Sequence, residues 1–116
     1  MGSHVGAVMS EIILNIPDAL NDLPTEERNL LVGRALRGAV RDRIAQVERE
    51  VAEGELRIGE YEEKHGLSFE AFEKKIQSLQ LVGVDFQEDY TDWYAWIEST
   101  QRAVQVLDKL RRFLAS

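Results

Sequence analysis

The residues with spacing suited to chemistry lie in the second half of the chain. In YEEKHGLSFEAFEKKI, residues 61 to 76, Glu62-x-x-His65 sets a carboxylate and an imidazole on one helical face, the arrangement of a metal-ligand pair. A bundle metal centre of that kind needs a second such pair and further glutamates, and the only other histidine is His4, in the leader. His65 is therefore expected to be a positive end-cap at a helix C-terminus rather than a ligand. Glu60-x-x-Glu63 and Asp89-x-x-Asp92 form two carboxylate pairs, the hard oxygen donors that hold magnesium when they face each other across two helices. The competing account is a solvated acidic face, because Ile58, Tyr61, Tyr90 and Trp93 hold the apolar positions and turn Glu63 and Asp92 outward. No glycine-rich phosphate loop follows a strand, and Ser, His and Asp are too sparse for a nucleophilic triad. No catalytic residue, metal ligand or cofactor is assigned.

The elements that would position these groups follow from composition and pattern. A chain of 116 residues, 44% hydrophobic and 30% charged, makes one domain with a modest core, so oligomerisation is expected. It has no cysteine, which removes disulfides and thiolate sites and agrees with a cytoplasmic location. No apolar run nears the roughly 20 residues that span a bilayer, so no membrane partner is expected. MGSH resembles a cloning remnant, and residues 1–8 are read as a tag or disordered leader. The net charge is -7, and residues 53 to 99 carry twelve of the 21 acids against four of the 14 bases. That block suits a basic protein partner, and general nucleic-acid affinity is excluded.

EIILNI, residues 11 to 16, predicts one short strand closed by Pro17. With no second strand in the chain, its edge would pair with another copy across a dimer. Thr25 with Glu26 and Glu27 predicts the capped start of a long helix. Its apolar or small positions, 33, 36, 40, 44, 47, 51, 54, 58, 61 and 65, form a coiled-coil seam with one stutter. Gly54 and Gly59 predict a bend or break. Gly66 then ends the helix, Ser68 caps the next, and Leu67 packs on Phe72 as a hydrophobic staple. Phe69, Phe72, Ile76 and Leu79 give that short helix its apolar face. A last helix from about Glu88 to Ala115 carries a seam at 86, 90, 93, 97, 100, 104, 107, 111 and 114. The expected fold is mostly α: a short N-terminal strand, then a long helix, a short helix and a C-terminal helix forming an antiparallel hairpin or bundle. It makes one structural domain overall, with residues 9–52 for dimerisation and 53–116 as the acidic partner-binding segment.

DYTDWYAWIE, residues 89 to 98, places four aromatics among acids. Tyr90 and Trp93 fall on the seam. Tyr94 and Trp96 fall off it, and they suit either a protein interface or a broad buried face. The candidate partner-binding set is Tyr94, Trp96, Asp89, Asp92 and Glu98.

IILNIPDAL followed by EERNLLVGRALRGAV resembles the ribbon-helix-helix start of small antitoxins of type II toxin-antitoxin modules, and YEEKHGLSFEAFEKK before an acidic aromatic stretch resembles the C-terminal half of antitoxins encoded beside ribonuclease-type toxins. The resemblance implies a cytoplasmic dimer or higher oligomer that neutralises a basic toxin and autoregulates its operon. It places Ile12, Leu14, Ile16, Gly33 and Ala35 at the dimer interface, and Asn15, Arg28 and Arg34 as candidate DNA contacts. Two alternatives stand beside it. The carboxylate pairs resemble those of MazG-like magnesium-dependent nucleotide pyrophosphohydrolases, which are all-α, and a helical scaffold or adaptor would have the same composition.

Overall fold

The structure, a computed structural model, describes residues 8–9, 12–13 and 18–116. Val8–Met9 and Ile12–Ile13 pair antiparallel, with Val8 opposite Ile13 and Met9 opposite Ile12. The rest of the expected strand, including Leu14, Asn15 and Ile16, lies outside the described residues, as does its pairing between copies. The chain divides into two units, Met1–Ala39 and Val40–Ser116.

In the first unit a 3-10 helix, Asp18–Asp22, precedes Pro24. The Pro24 carbonyl accepts the Arg28 N–H at 3.0 Å, so Pro24 stands at the cap and Thr25, expected there, is the first helical residue. Glu26 and Glu27 follow in the first turn, where the helix dipole favours negative charge.

The long helix α1, Thr25–His65, is continuous, with no break at Gly54 or Gly59. The reason lies in the second unit, where Gly54 is buried. A Cβ built there would lie 1.8 Å from Thr100 Oγ1 and 3.0 Å from Thr100 Cβ. At Gly54 the last helix, α3, Val84–Ala115, comes too close to leave room for a side chain. Packing, not flexibility, accounts for the glycine.

Contacts along the two helices run in opposite directions. Glu48 meets Arg111, Gly54 meets Thr100, Tyr61 meets Trp93 and His65 meets Asp89. This is an antiparallel hairpin on the predicted seams, with Val47, Trp93, Thr100 and Leu107 buried.

The turn at 66 to 68 joins α1 to α2, Phe69–Gln77, by the predicted devices. Gly66 has φ 64° and its N–H donates to the Glu62 carbonyl at 2.8 Å. Ser68 Oγ accepts the Ala71 N–H at 3.2 Å. Phe69, Phe72 and Ile76 are buried with Trp93 in one cluster, against which Leu67, Tyr61, Tyr90 and Phe86 pack.

Leu79 departs from expectation. Instead of completing the apolar face of α2, it is 76% exposed, with φ 61°. The helix has ended by then: the Leu79 N–H donates to the Ile76 carbonyl at 3.1 Å and the Gln80 N–H to the Lys75 carbonyl at 2.9 Å, a left-handed helix stop that usually carries glycine. A leucine there costs about 1 kcal/mol in backbone strain and recovers little by burial. Leu79→Gly is therefore expected to raise the urea midpoint, with a gain of roughly 0.5–1 kcal/mol. A lower midpoint would show that the side chain has a packing role.

Helix α3 starts at Val84, four residues before the predicted start. Gly83, at φ 134°, turns the chain, and its carbonyl accepts the Gln87 N–H at 3.1 Å.

Candidate functional site

The ends of α1 and α3 meet around Asp89. Its side chain is only 16% exposed, and one oxygen, Oδ2, receives both Lys64 Nζ at 2.7 Å and His65 Nε2 at 2.8 Å. The His65 ring lies over Trp93 at 5.9 Å with an interplanar angle of 11°, and it touches Phe72 at 4.4 Å between centroids. His65 stands in the last turn of α1, where it was expected, and there it also bridges α1 to α3. Helical spacing placed it on the seam, but its partner, 24 residues away, follows only from the return of the chain.

Burial alone would raise the Asp89 carboxyl. Hydrogen bonds from Lys64 and then His65, with their positive charges, outweigh it and hold the carboxyl below its ordinary 3.8. A depressed folded value means that the stabilisation is present above the unfolded value and is lost as pH falls through the folded one. Asp89→Asn is expected to cost about 1.5–3 kcal/mol at neutral pH, the range for a charge-assisted hydrogen bond. The difference from wild type should shrink as urea melts are carried below about pH 3.9. A difference that stays constant into acid would remove the ion pair as its cause.

This arrangement separates the four carboxylates that could have formed a magnesium site. Glu60 is exposed and bonds Arg57 at 3.4 Å, Glu63 and Asp92 are exposed, and Asp89 is held by Lys64 and His65. Glu62 is exposed as well. Among the described residues no group of three or more His, Asp or Glu side chains converges to hold a metal ion.

The expected partner-binding residues are distributed unevenly. Tyr94 is 44% exposed, and Asp92 and Glu98 are exposed with it on α3. The Glu98 carboxylate, chiefly through its charge, raises the Tyr94 hydroxyl above its ordinary 10.0. Trp96 is half-buried beneath Arg57, whose Cζ stands 5.8 Å from the ring centroid. Asp89 faces inward, while Tyr90 is half-buried and donates to Glu73 Oε2 at 2.5 Å. In the first unit Arg28 Nη1 donates to Asn21 Oδ1 at 3.3 Å, Arg34 and Ala35 are exposed, and Gly33 is half-buried.

One surface was missed by reasoning from sequence. Leu79, Val82 and Val84 are 76%, 68% and 71% exposed on and beside the turn between α2 and α3. Their signal was three aliphatics around Gly83 in a segment with no room for a helical face. No family model, curated protein or solved structure matches the chain.

Proposed function

We propose that this chain is an antitoxin-like binding protein that neutralises a basic toxin by covering it with the acidic aromatic face of α3. The observation that carries the proposal is Tyr94, a large aromatic left 44% exposed, with exposed Glu98 one turn further along the same face of α3. An aromatic anchor with an acidic surround suits a cationic surface: the ring supplies contact area and the charge steers encounter. The concentration of acid between residues 53 and 99 supports the same reading. The segment 9–52 would add self-association and operator contact, for which exposed Arg34, Ala35, Leu30 and Leu31 are available.

The test pairs this chain with the product of its adjoining reading frame. That product alone is expected to arrest growth, and co-expression of this chain to restore it. The double variant Tyr94→Ala, Glu98→Lys should weaken the complex by about tenfold or more, a loss of ~1.4 kcal/mol, without changing the urea midpoint. Absence of both growth arrest and complex would refute the reading.

A further inference from the structure

We propose that the hollow between α1 and α3 beside Trp96 binds the guanidinium head of an arginine side chain presented by a partner protein. It is lined by Glu50, Glu53, Trp96, Ser99, Thr100 and Ala103. Helical spacing sets Trp96, Ser99 and Ala103 on one flank of α3, and Tyr94, about 200° around the helix from Trp96, on the other. The site is thus distinct from the Tyr94 surface, and it does not depend on the antitoxin reading.

Three observations identify the ligand. The first is that the polar side chains of the lining all offer acceptors. Glu50 and Glu53 are carboxylates, and Ser99 donates its own proton to the Trp96 carbonyl at 3.2 Å, which leaves its oxygen lone pairs for a donor. Thr100 is 9% exposed, and its Oγ1 is buried without a hydrogen-bond partner. A guanidinium complements such a set, with five N–H donors and no acceptor.

The second is the indole wall, which already attracts a guanidinium. Arg57 Cζ stands 5.8 Å from the Trp96 ring centroid, within cation–π range, and Arg57 Nη2 lies 3.7 Å from Glu53 Oε2. That last distance is too long for a hydrogen bond, so Glu53 keeps acceptor capacity for a second cation. Arg43 reaches Glu50 Oε2 at 3.1 Å, but the pair is exposed on both sides and weakly held. The third is size. The hollow measures about 170 Å³, below the roughly 300–1,000 Å³ of pockets that enclose a small molecule, so it suits the end of one side chain. A free arginine would also bring its α-carboxylate towards Glu50 and Glu53.

The two tryptophans make the test specific. In proton–nitrogen correlation spectra of the full chain, the indole N–H signals of Trp93 and Trp96 are assigned with Trp96→Phe, and the chain is titrated with an end-blocked Gly-Arg-Gly tripeptide. The Trp96 signal is expected to shift saturably while that of Trp93 stays in place. The citrulline tripeptide, of the same shape without the charge, should move neither. Glu53→Gln and Thr100→Ala should each raise the dissociation constant about tenfold, ~1.4 kcal/mol, with the urea midpoint nearly unchanged. A Trp96 signal that does not move, equal shifts with arginine and citrulline, or a dissociation constant that neither substitution changes would overturn the proposal. Binding of free arginine as tightly as the tripeptide would overturn the protein source and assign the site to a small guanidine.

Discussion

Trp93→Ala is expected to lower stability by about 3–5 kcal/mol, the cost of emptying a large aromatic site in a core. Trp93 is fully buried, and its ring meets Tyr61, His65, Phe69 and Phe72 at centroid distances of 5.3 to 5.9 Å. Those partners come from α1 and α2, so the loss would be felt where both helices pack on α3. Against a typical stability of about 5–15 kcal/mol, such a loss would leave the variant near its unfolding midpoint. Trp93→Phe should cost far less, about 1–2 kcal/mol, because most of the volume is kept. The indole Nε1 is buried without a hydrogen-bond partner, so its removal breaks no bond. Urea melts followed by circular dichroism measure both values. A cost under about 1 kcal/mol for the alanine variant would mean that this side chain is not the centre of the core.

Gly54→Ala and Gly59→Ala are expected to move stability in opposite directions, although both replace a glycine inside the same helix. A Cβ at position 59 meets nothing within 4 Å, so the change should stabilise by about 0.5–1 kcal/mol through backbone entropy alone. At position 54 the same gain is opposed by Thr100. Rotation of Thr100 about its Cα–Cβ bond could withdraw Oγ1 from 1.8 Å, but Cβ, at 3.0 Å, does not move with it and would still crowd the new methyl group. The helices must part, and the net result should be a loss of about 1–3 kcal/mol.

Thr100→Ala removes both crowding atoms at the end of the side chain. Alone it should be nearly neutral, since Oγ1 is buried without a hydrogen-bond partner. Combined with Gly54→Ala it should recover most of the loss, giving a coupling of at least about 1 kcal/mol in a double-mutant cycle. Equal stabilisation by both glycine replacements would show that α1 and α3 do not approach closely at Gly54.

The same contrast explains how far the fold could be read in advance. Helix stops, caps and faces are local: Gly66, Ser68 and the seam through 47, 54, 61, 93, 100 and 107 depend on residues a few positions apart. They were legible for that reason. The role of Gly54 was not, because propensity assigns every interior glycine the same cost, and only a second helix distinguishes it from Gly59. Leu79 was misread for a related reason. Its spacing matches the face of α2, but the chain leaves the helix at Ser78, and periodicity carries no information past a helix end.

In the candidate site, the acid-and-aromatic composition of 89 to 98 could be seen directly, and Tyr94 does lie exposed on it. The outward turn of Glu63 and Asp92 also followed from the seam through Ile58, Tyr61, Tyr90 and Trp93; the partners of Asp89 did not. Asp89 and Asp92 sit three residues apart in similar company, yet Asp89 is bound by Lys64 and His65 and Asp92 is exposed. Helical periodicity turns Asp92 outward, whereas the binding of Asp89 arises because the end of α1 lies against one side of α3.

Order and amphipathic faces of the three helices, the turn chemistry between α1 and α2, and the block of negative charge are properties of neighbouring residues, and the sequence carries them by itself. Long-range pairing decided the rest: the Gly54–Thr100 approach, the Asp89 bridge, and the exposed Leu79, Val82 and Val84. Each depends on two segments meeting that lie far apart in the chain, or on a covering element that stops short. Short-range pattern specifies which face a helix offers, whereas the partner of that face is chosen by the free energy of the whole packed chain.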